Sequence, residues 1–221
     1  MPVPLPIILK AKLMATTMAG WTAAAAPVSM PAETVATLIA ANTAAPIPVD
    51  LYDENDHQKG TVAIWRDGST DEATTDELRR LFRCRRTYRE ATIAKPTLAM
   101  LADVAEHYPG KTIEYVSAYR ASRDESATSP HRHATAIDFR IRGVKLRAIR
   151  DYLWRSYTGI GVGWYPEGQY IHIDSRPKLH DTSWTFVKGR NRYNPYWAEL
   201  ARRAEKPADE PQIAVHHRPG S

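Results

Sequence analysis

Cysteine is nearly missing from this chain. Cys84 is the single thiol in 221 residues, which excludes an internal disulfide framework and any metal site built on several thiolates. A long apolar run is missing as well. Residues 13–26 carry no charge, but the stretch is too short and too rich in Ala and Thr to span a bilayer, which takes ~20 residues. No internal repeat is visible. Nor is the charge of one sign: 30 Lys and Arg stand against 25 Asp and Glu, a net charge of +5. That balance is compatible with nucleic acid, anionic lipid or an acidic cell-wall polymer and selects none of them. What is present is ordinary for a globular protein, 43% apolar and 25% charged residues, so wholesale disorder is excluded. The length suffices for one or two domains that bury a core without staples. A metal, if held, must use His, Asp or Glu.

The chain reads in four parts. In residues 1–30, Lys10 and Lys12 precede the uncharged stretch, which closes on Ala-Ala-Ala-Ala-Pro. This is the layout of a secretory signal and implies a periplasmic or secreted protein; the alternative is a disordered extension. Residues 31–48 are rich in Ala, Thr and Pro and read as a linker, with one helical turn expected over 35–41. Residues 49–198 read as the folded domain. Residues 199–221 are charged and Pro-rich, and are expected to form a disordered tail in which His216 and His217 are incidental.

Within the folded part, the alternation over 49–53 and the β-rich run 61–65 predict a hairpin. Thr74-x-x-Glu77 has the form of a capping box ahead of the helical face Leu78, Leu81, Phe82. Arg79, Arg80, Arg83, Arg85, Arg86 and Arg89 read as a solvated face, with anion binding as the alternative. A second helix opens at Pro96, with Leu98, Leu101, Ala105 and Tyr108 at helical spacing, and ends at Pro109-Gly110. Strands are expected over 112–117, 135–141, 159–165 and 169–174, and a helix carries Leu146, Ile149, Leu153 and Trp154. Helices and strands do not alternate regularly, which favours α+β over a doubly wound sheet.

The chemistry lies between Ser117 and Asp174. In the strand after His131 and His133, Ile137, Phe139 and Ile141 share one face, while Ala136, Asp138 and Arg140 share the other. In Tyr170-Ile-His172-Ile-Asp174 the two isoleucines face inward and the polar residues face out together. Imidazoles and carboxylates on two such strands can converge. Three protein ligands of this kind plus water define a catalytic zinc site, which lowers the pKa of water to ~7 and polarises a carbonyl. The alternative is a set of histidines and aspartates with no metal.

Four motifs in order, Ser117-Ala-Tyr119-Arg120, Ser129-x-His131-x-x-Ala134-x-Ala136-x-Asp138, Gly161-Val-Gly163-x-Tyr165-Pro166 and Ile171-His172-x-Asp174, resemble the zinc metallopeptidases of the D-alanyl-D-alanine carboxypeptidase and hedgehog-like superfamily, the murein endopeptidase K branch in particular. The resemblance extends over roughly residues 49–184. It implies a small antiparallel sheet that carries the metal site, with flanking helices. It implies Zn(2+) as cofactor and His131, Asp138 and His172 as its ligands. Arg120 matches an arginine that would stabilise an oxyanion or hold a substrate carboxylate, and Ser129 matches a supporting hydrogen-bond donor. Many relatives carry an acid or His two or three residues before the last ligand, where this chain has Gln169 and Tyr170. Asp174 is then the first choice for general base, with an orienting role on an imidazole as its alternative. Glu167 is the second choice, and His133 is an accessory proton carrier or incidental. Two departures stand out. Ala134 replaces a glycine and is tolerable unless its φ is positive, and Arg176 replaces another, where it would alter substrate choice or bind stem-peptide carboxylates.

The implied function is a zinc-dependent peptidoglycan hydrolase, an endopeptidase or carboxypeptidase, that cleaves an amide bond in stem peptides or cross-links by attack of activated water. The expected partner is peptidoglycan, with no nucleic acid and no integral membrane segment, and the protein is expected to be a monomer. The rival reading is a catalytically inactive cell-wall-binding module of the same fold. A nucleic-acid binder built on the arginine cluster rests on charge alone.

Overall fold

The structure is a computed structural model and describes residues 45–176 and 180–204. The expected signal over 1–30, the linker up to residue 44 with its helical turn, and the chain after residue 204 lie outside the described residues.

Among the described residues, eight strands and four helices follow one another as β1 (Ile47–Asp53), β2 (Lys59–Ile64), α1 (Glu72–Leu81), α2 (Lys95–His107), β3 (Ile113–Ser117), β4 (Ala136–Ile141), α3 (Leu146–Ser156), β5 (Ile160–Tyr165), β6 (Tyr170–Ser175), β7 (Thr182–Val187), β8 (Arg190–Tyr193) and α4 (Tyr196–Arg203). The strands form one sheet in the order β2-β1-β3-β4-β6-β5-β7-β8. The hairpin forms as expected, β1 pairing antiparallel with β2, because Ile47, Val49 and Leu51 alternate inward.

The sheet is neither small nor wholly antiparallel. β1 runs parallel to β3 and β5 parallel to β7, while β4, β6 and β5 are antiparallel neighbours. Residue alternation reports which face a side chain takes, but not which strand lies beside which, so the parallel joins were invisible in the pattern. Nothing in the sequence reading marked β7 or β8. All four residues of β8 are exposed, so it carries no apolar signal.

Three further details differ from expectation. The folded part begins at Ile47, inside the expected linker, because Ile47 packs into the core. The cap of α1 is Asp71, whose side chain accepts from the Thr74 amide at 2.7 Å, so the helix starts a turn before the Thr74 box. Residues 199–203, placed at the start of the expected tail, belong to α4. Ala198 and Ala201 are buried, and the Ala198 carbonyl accepts from Trp154 Nε1 at 2.9 Å. Arg150 lies between the rings of Trp164 and Trp197, 4.6 and 4.3 Å from their centroids, and ties α3 to this segment.

The core positions the site. Ile137, Phe139 and Ile141 of β4, with Ile171 and Ile173 of β6 and Val162 of β5, join Met100, Leu101 and Val104 of α2 and Ile149 and Leu153 of α3 in one buried cluster. Each such side chain contributes roughly 1.5–3 kcal/mol by leaving water. Helices thus cover one face of the central strands. Alternation then turns Asp138, His172 and Asp174 to the other face.

Candidate metal centre and its cleft

The register of two strands does most of the assembly. β4 and β6 pair so that Asp138 lies opposite His172 and Ala136 opposite Asp174. His131 arrives from the turn before β4. There Ala134 N donates to the His131 carbonyl at 3.2 Å and Thr135 N to Pro130 O at 3.0 Å, which folds the chain back over the strand. The turn requires a left-handed residue, and Ala134 takes it with φ = 54°, so the methyl that replaces glycine sits in a strained conformation. Arg120 N donates to the His131 carbonyl at 3.1 Å, which joins the loop after β3 to this turn.

His131 Nε2, His172 Nδ1 and Asp138 Oδ1 meet. The nitrogens are 3.1 Å apart, His172 Nδ1 is 2.8 Å from the carboxylate oxygen, and His131 Nε2 is 3.3 Å from it. The three side chains could together hold a metal ion and all are buried. The fit is good, since zinc at ~2.0–2.1 Å from tetrahedral N and O donors needs donors about 3.3 Å apart. The far side of each donor is occupied too. His131 Nδ1 lies 2.6 Å from the Ala118 carbonyl, His172 Nε2 is 3.1 Å from Asp174 Oδ2, and Asp138 Oδ2 accepts from Arg120 Nη2. Such partners fix ring orientation and leave the inner lone pairs free for a cation.

The electrostatics favour positive charge at this spot. Burial opposes ionisation of Asp138, but the charge and hydrogen bonds of His131 and His172 hold its carboxyl far below the usual range. Burial likewise opposes charging His172, yet hydrogen bonds to Asp138 and Asp174 and their charges outweigh it and raise the imidazole to about 9. Asp174 is pulled down by His172 and Arg176 against its own burial. A proton on His172 is what this environment stabilises when no cation is present.

The other expected site residues are placed unequally. Arg120 lines the cleft, with Nε donating to Ser117 Oγ at 2.8 Å; a bulge in β3 sets Ser117 opposite Asp138. Ser129 lines it as well. Asp174 is fully buried, lies behind His172 and does not reach the cavity. Glu167 is exposed in the β5–β6 turn, where it accepts from Lys188 N at 3.4 Å, and the fold does not bring it to the group. His133 is exposed, with Nε2 2.9 Å from the Ala127 carbonyl. Gln169 turns back to the Pro166 carbonyl, whereas Tyr170 lines the cavity. Within the arginine cluster, Arg79, Arg80, Arg83, Arg85 and Arg86 pair with Asp76, Glu77, Asp56, Asp53 and Asp124 respectively, so these charges are largely answered inside the chain.

A cavity of about 560 Å³ opens over the group. Its floor is a row across the sheet, since Asp138, His172, Gly163, Trp184 and Tyr193 are successive register partners. A side chain at Gly163 would strike the Trp184 indole, whose ring centroid is 5.1 Å from that of His172. Tyr170 stacks on Tyr165 at 4.5 Å and Tyr165 on Phe186 at 5.1 Å. The aromatic wall from Trp184 onward was missed from sequence; the signal available was the glycine at 163, which marks a close approach.

Comparisons with known proteins place the chain among its relatives. The family model described as peptidoglycan L,D-endopeptidase MepK matches residues 41–180. The curated peptidoglycan L,D-endopeptidase MepK of Escherichia coli K12 is 34% identical over 80 residues, covering 32% of this chain and 43% of that protein. The protein of Haemophilus influenzae named probable peptidoglycan L,D-endopeptidase MepK is 41% identical over 58 residues, covering 26% of this chain and 31% of its own. The chain thus matches less than half the length of these relatives. No solved structure matches.

Proposed function

Given that the chain belongs to the peptidoglycan L,D-endopeptidase MepK family, we propose that it is a zinc-dependent peptidoglycan hydrolase that cuts an amide bond in peptide cross-links. The observation that carries this reading is the meeting of His131 Nε2, Asp138 Oδ1 and His172 Nδ1 at the base of an open cavity. Held by those three atoms, zinc would supply a Lewis acid that activates water and polarises the scissile carbonyl.

The chain's own groups do the rest. Asp174 orients His172 and takes no proton from the cleft, because it has no surface there. Arg120 commits Nε to Ser117 and Nη2 to Asp138, while Nη1 lies 3.9 Å from Glu125 Oε2, a long contact that a substrate oxyanion or carboxylate would replace. Burial first, then the charge of Asp138, raise the Tyr170 hydroxyl, so it stays protonated as a hydrogen-bond donor to a developing oxyanion. Tyr165, Trp184 and Tyr193 form a wall along which an extended stem peptide can lie. We place the catalytic domain over the expected 49–198, extended to Ile47 and through α4, and the protein in the compartment of its wall substrate, periplasmic or secreted. No helix among the described residues is long and apolar enough to cross a membrane.

Among the described residues, Asp138 is the one carboxylate that lines the cavity. That observation is what keeps a wall-binding module without turnover as the second reading. The test is digestion of purified sacculi, with mass spectrometry of the released muropeptides and zinc content measured on parent and His172→Ala. The parent is expected to release L,D-cross-link products and to hold one zinc, and the variant to do neither. Equal digestion by the variant overturns the proposal; sacculus binding without product supports the module.

A further inference from the structure

We propose that Arg176 is a positioning residue for the metal centre: it clamps Asp174, and Asp174 in turn holds the His172 imidazole with Nδ1 toward Asp138 and His131. The inference rests on the zinc reading above and concerns a position where this chain departs from the glycine of the pattern it resembles.

Arg176 follows Asp174 by two residues, as Asp174 follows His172, so it extends the polar face of β6 past the strand end. Its Nε donates to Asp174 Oδ1 at 2.5 Å and its Nη2 to Oδ2 at 3.0 Å, the two-pronged geometry by which a guanidinium fixes the plane of a carboxylate. The arginine is itself held. Nη1 donates to Thr182 Oγ1 on β7 at 2.7 Å, the backbone amide donates to Gly159 O at 2.6 Å, and the guanidinium carbon lies 5.8 Å from the Trp184 ring centroid. Gly161 provides the room, because a side chain there would run into the Asp174 carboxylate and Arg176 Nε and Nη2.

The consequence reaches the metal position through one imidazole. Asp174 Oδ2 lies 3.1 Å from His172 Nε2, which selects the ring form with the proton on Nε2 and the lone pair on Nδ1. Asp174 is fully buried. Without the guanidinium fork nothing fixes the plane of its carboxylate, which is then free to rotate away from Nε2. That rotation frees the His172 ring. Arg176 lines the cavity, but its Nε, Nη1 and Nη2 are committed to Asp174 and Thr182, so it holds Asp174 instead of taking the carboxylate-binding role that its position at the cleft edge first implies.

The test uses the full chain with Arg176→Met, Arg176→Lys and Gly161→Ala. Zinc affinity is measured by competition with a chromophoric chelator, kcat and KM on cross-linked muropeptides, and folding by melting of the zinc-free proteins. Arg176→Met is expected to weaken zinc binding about 10–100-fold and to lower kcat with KM little changed. Lysine, which keeps the charge and loses the fork, should recover only part of the affinity, and Gly161→Ala should shift zinc affinity in the same direction as methionine. Zinc affinity and kcat within twofold of the parent overturn the inference. A rise in KM alone, or a lower melting temperature with unchanged zinc affinity, also overturns it, by assigning Arg176 to substrate contact or to stability. A parent that binds no zinc sinks the metal reading itself, and that result is visible before any variant is compared.

Discussion

Asp138 on β4 and Asp174 on β6 occupy neighbouring strands of one sheet face, both buried and each joined to an arginine. Their surroundings nevertheless give them different work. Asp138 turns Oδ1 to the inner nitrogens of both histidines and lines the cavity. Asp174 touches the outer nitrogen of one histidine and reaches no open space. In the function proposed, equal burial and equal charge separate into a cation donor and an orienting group according to which edge of an imidazole each carboxylate meets. The arginines divide in the same way: both line the cavity, but Arg120 holds the inner carboxylate and Arg176 the outer one.

The comparison breaks most visibly when the inner carboxylate is lost. Asp138→Ala should abolish zinc retention and reduce release of muropeptides to the blank, measured by metal analysis and mass spectrometry. Asp174→Asn should retain zinc at saturating concentration and cost about 10–100-fold in affinity or turnover, the usual effect of removing a group behind a ligand. Equal losses from the two substitutions would erase the distinction.

Removing the ion sharpens it further. In chelated protein His172 titrates at about 9 against an ordinary value of 6.5. A raised folded-state value means that its contribution to stability is fully present below about pH 6.5 and is lost as pH rises through about 9. Asp138 and Asp174 are both held below the ordinary 3.8, so their contribution is present above that value and disappears as pH falls. Melting temperatures of the zinc-free protein should therefore drop on both sides, and bound zinc should remove the alkaline limb by keeping the His172 ring neutral. Either aspartate-to-asparagine change should shrink that limb; an unchanged limb would show that the carboxylates do not set the proton affinity of His172.

The smallest effect concerns a turn. Ala134→Gly relieves a positive φ in the turn that delivers His131 but gives up a methyl buried in the core, worth about 0.8 kcal/mol, so stability should change by less than about 1 kcal/mol and the melting temperature by less than about 4 °C. It should leave zinc affinity unchanged, because the substitution removes no donor atom and no hydrogen-bonding group.

Much of this was legible in residue order. The period-two pattern of Ala136–Ile141 and Tyr170–Ser175 already separated the isoleucines from the polar residues, and the apolar spacing of α2 and α3 marked the helices that cover the other face. The motifs around His131, Asp138 and His172 pointed to those three as candidate donors. The role of Asp174 was not legible, since the alternation that exposes His172 also exposes its neighbour two residues on, and strand periodicity is blind to which ring nitrogen a carboxylate will face. Glu167 had the right chemistry but lies in a turn whose direction no local pattern reveals. β8 lacks any apolar residue that would require burial, and Trp184 gained meaning only beside Gly163, across a parallel pairing.

What the sequence by itself determined is a set of local commitments: apolar faces, turn residues, and histidines and acids restricted to one side of a strand, because alternation and steric preference act between near neighbours. What tertiary structure alone decided is distance and orientation. Strand order brought residues 131, 138 and 172 within ligand spacing, seated Arg176 in the space left by Gly161, and turned one aspartate toward the cleft and the other away. Those outcomes depend on pairings among segments far apart in the chain, whose energies come from packing and hydrogen bonds that do not exist until the sheet has formed.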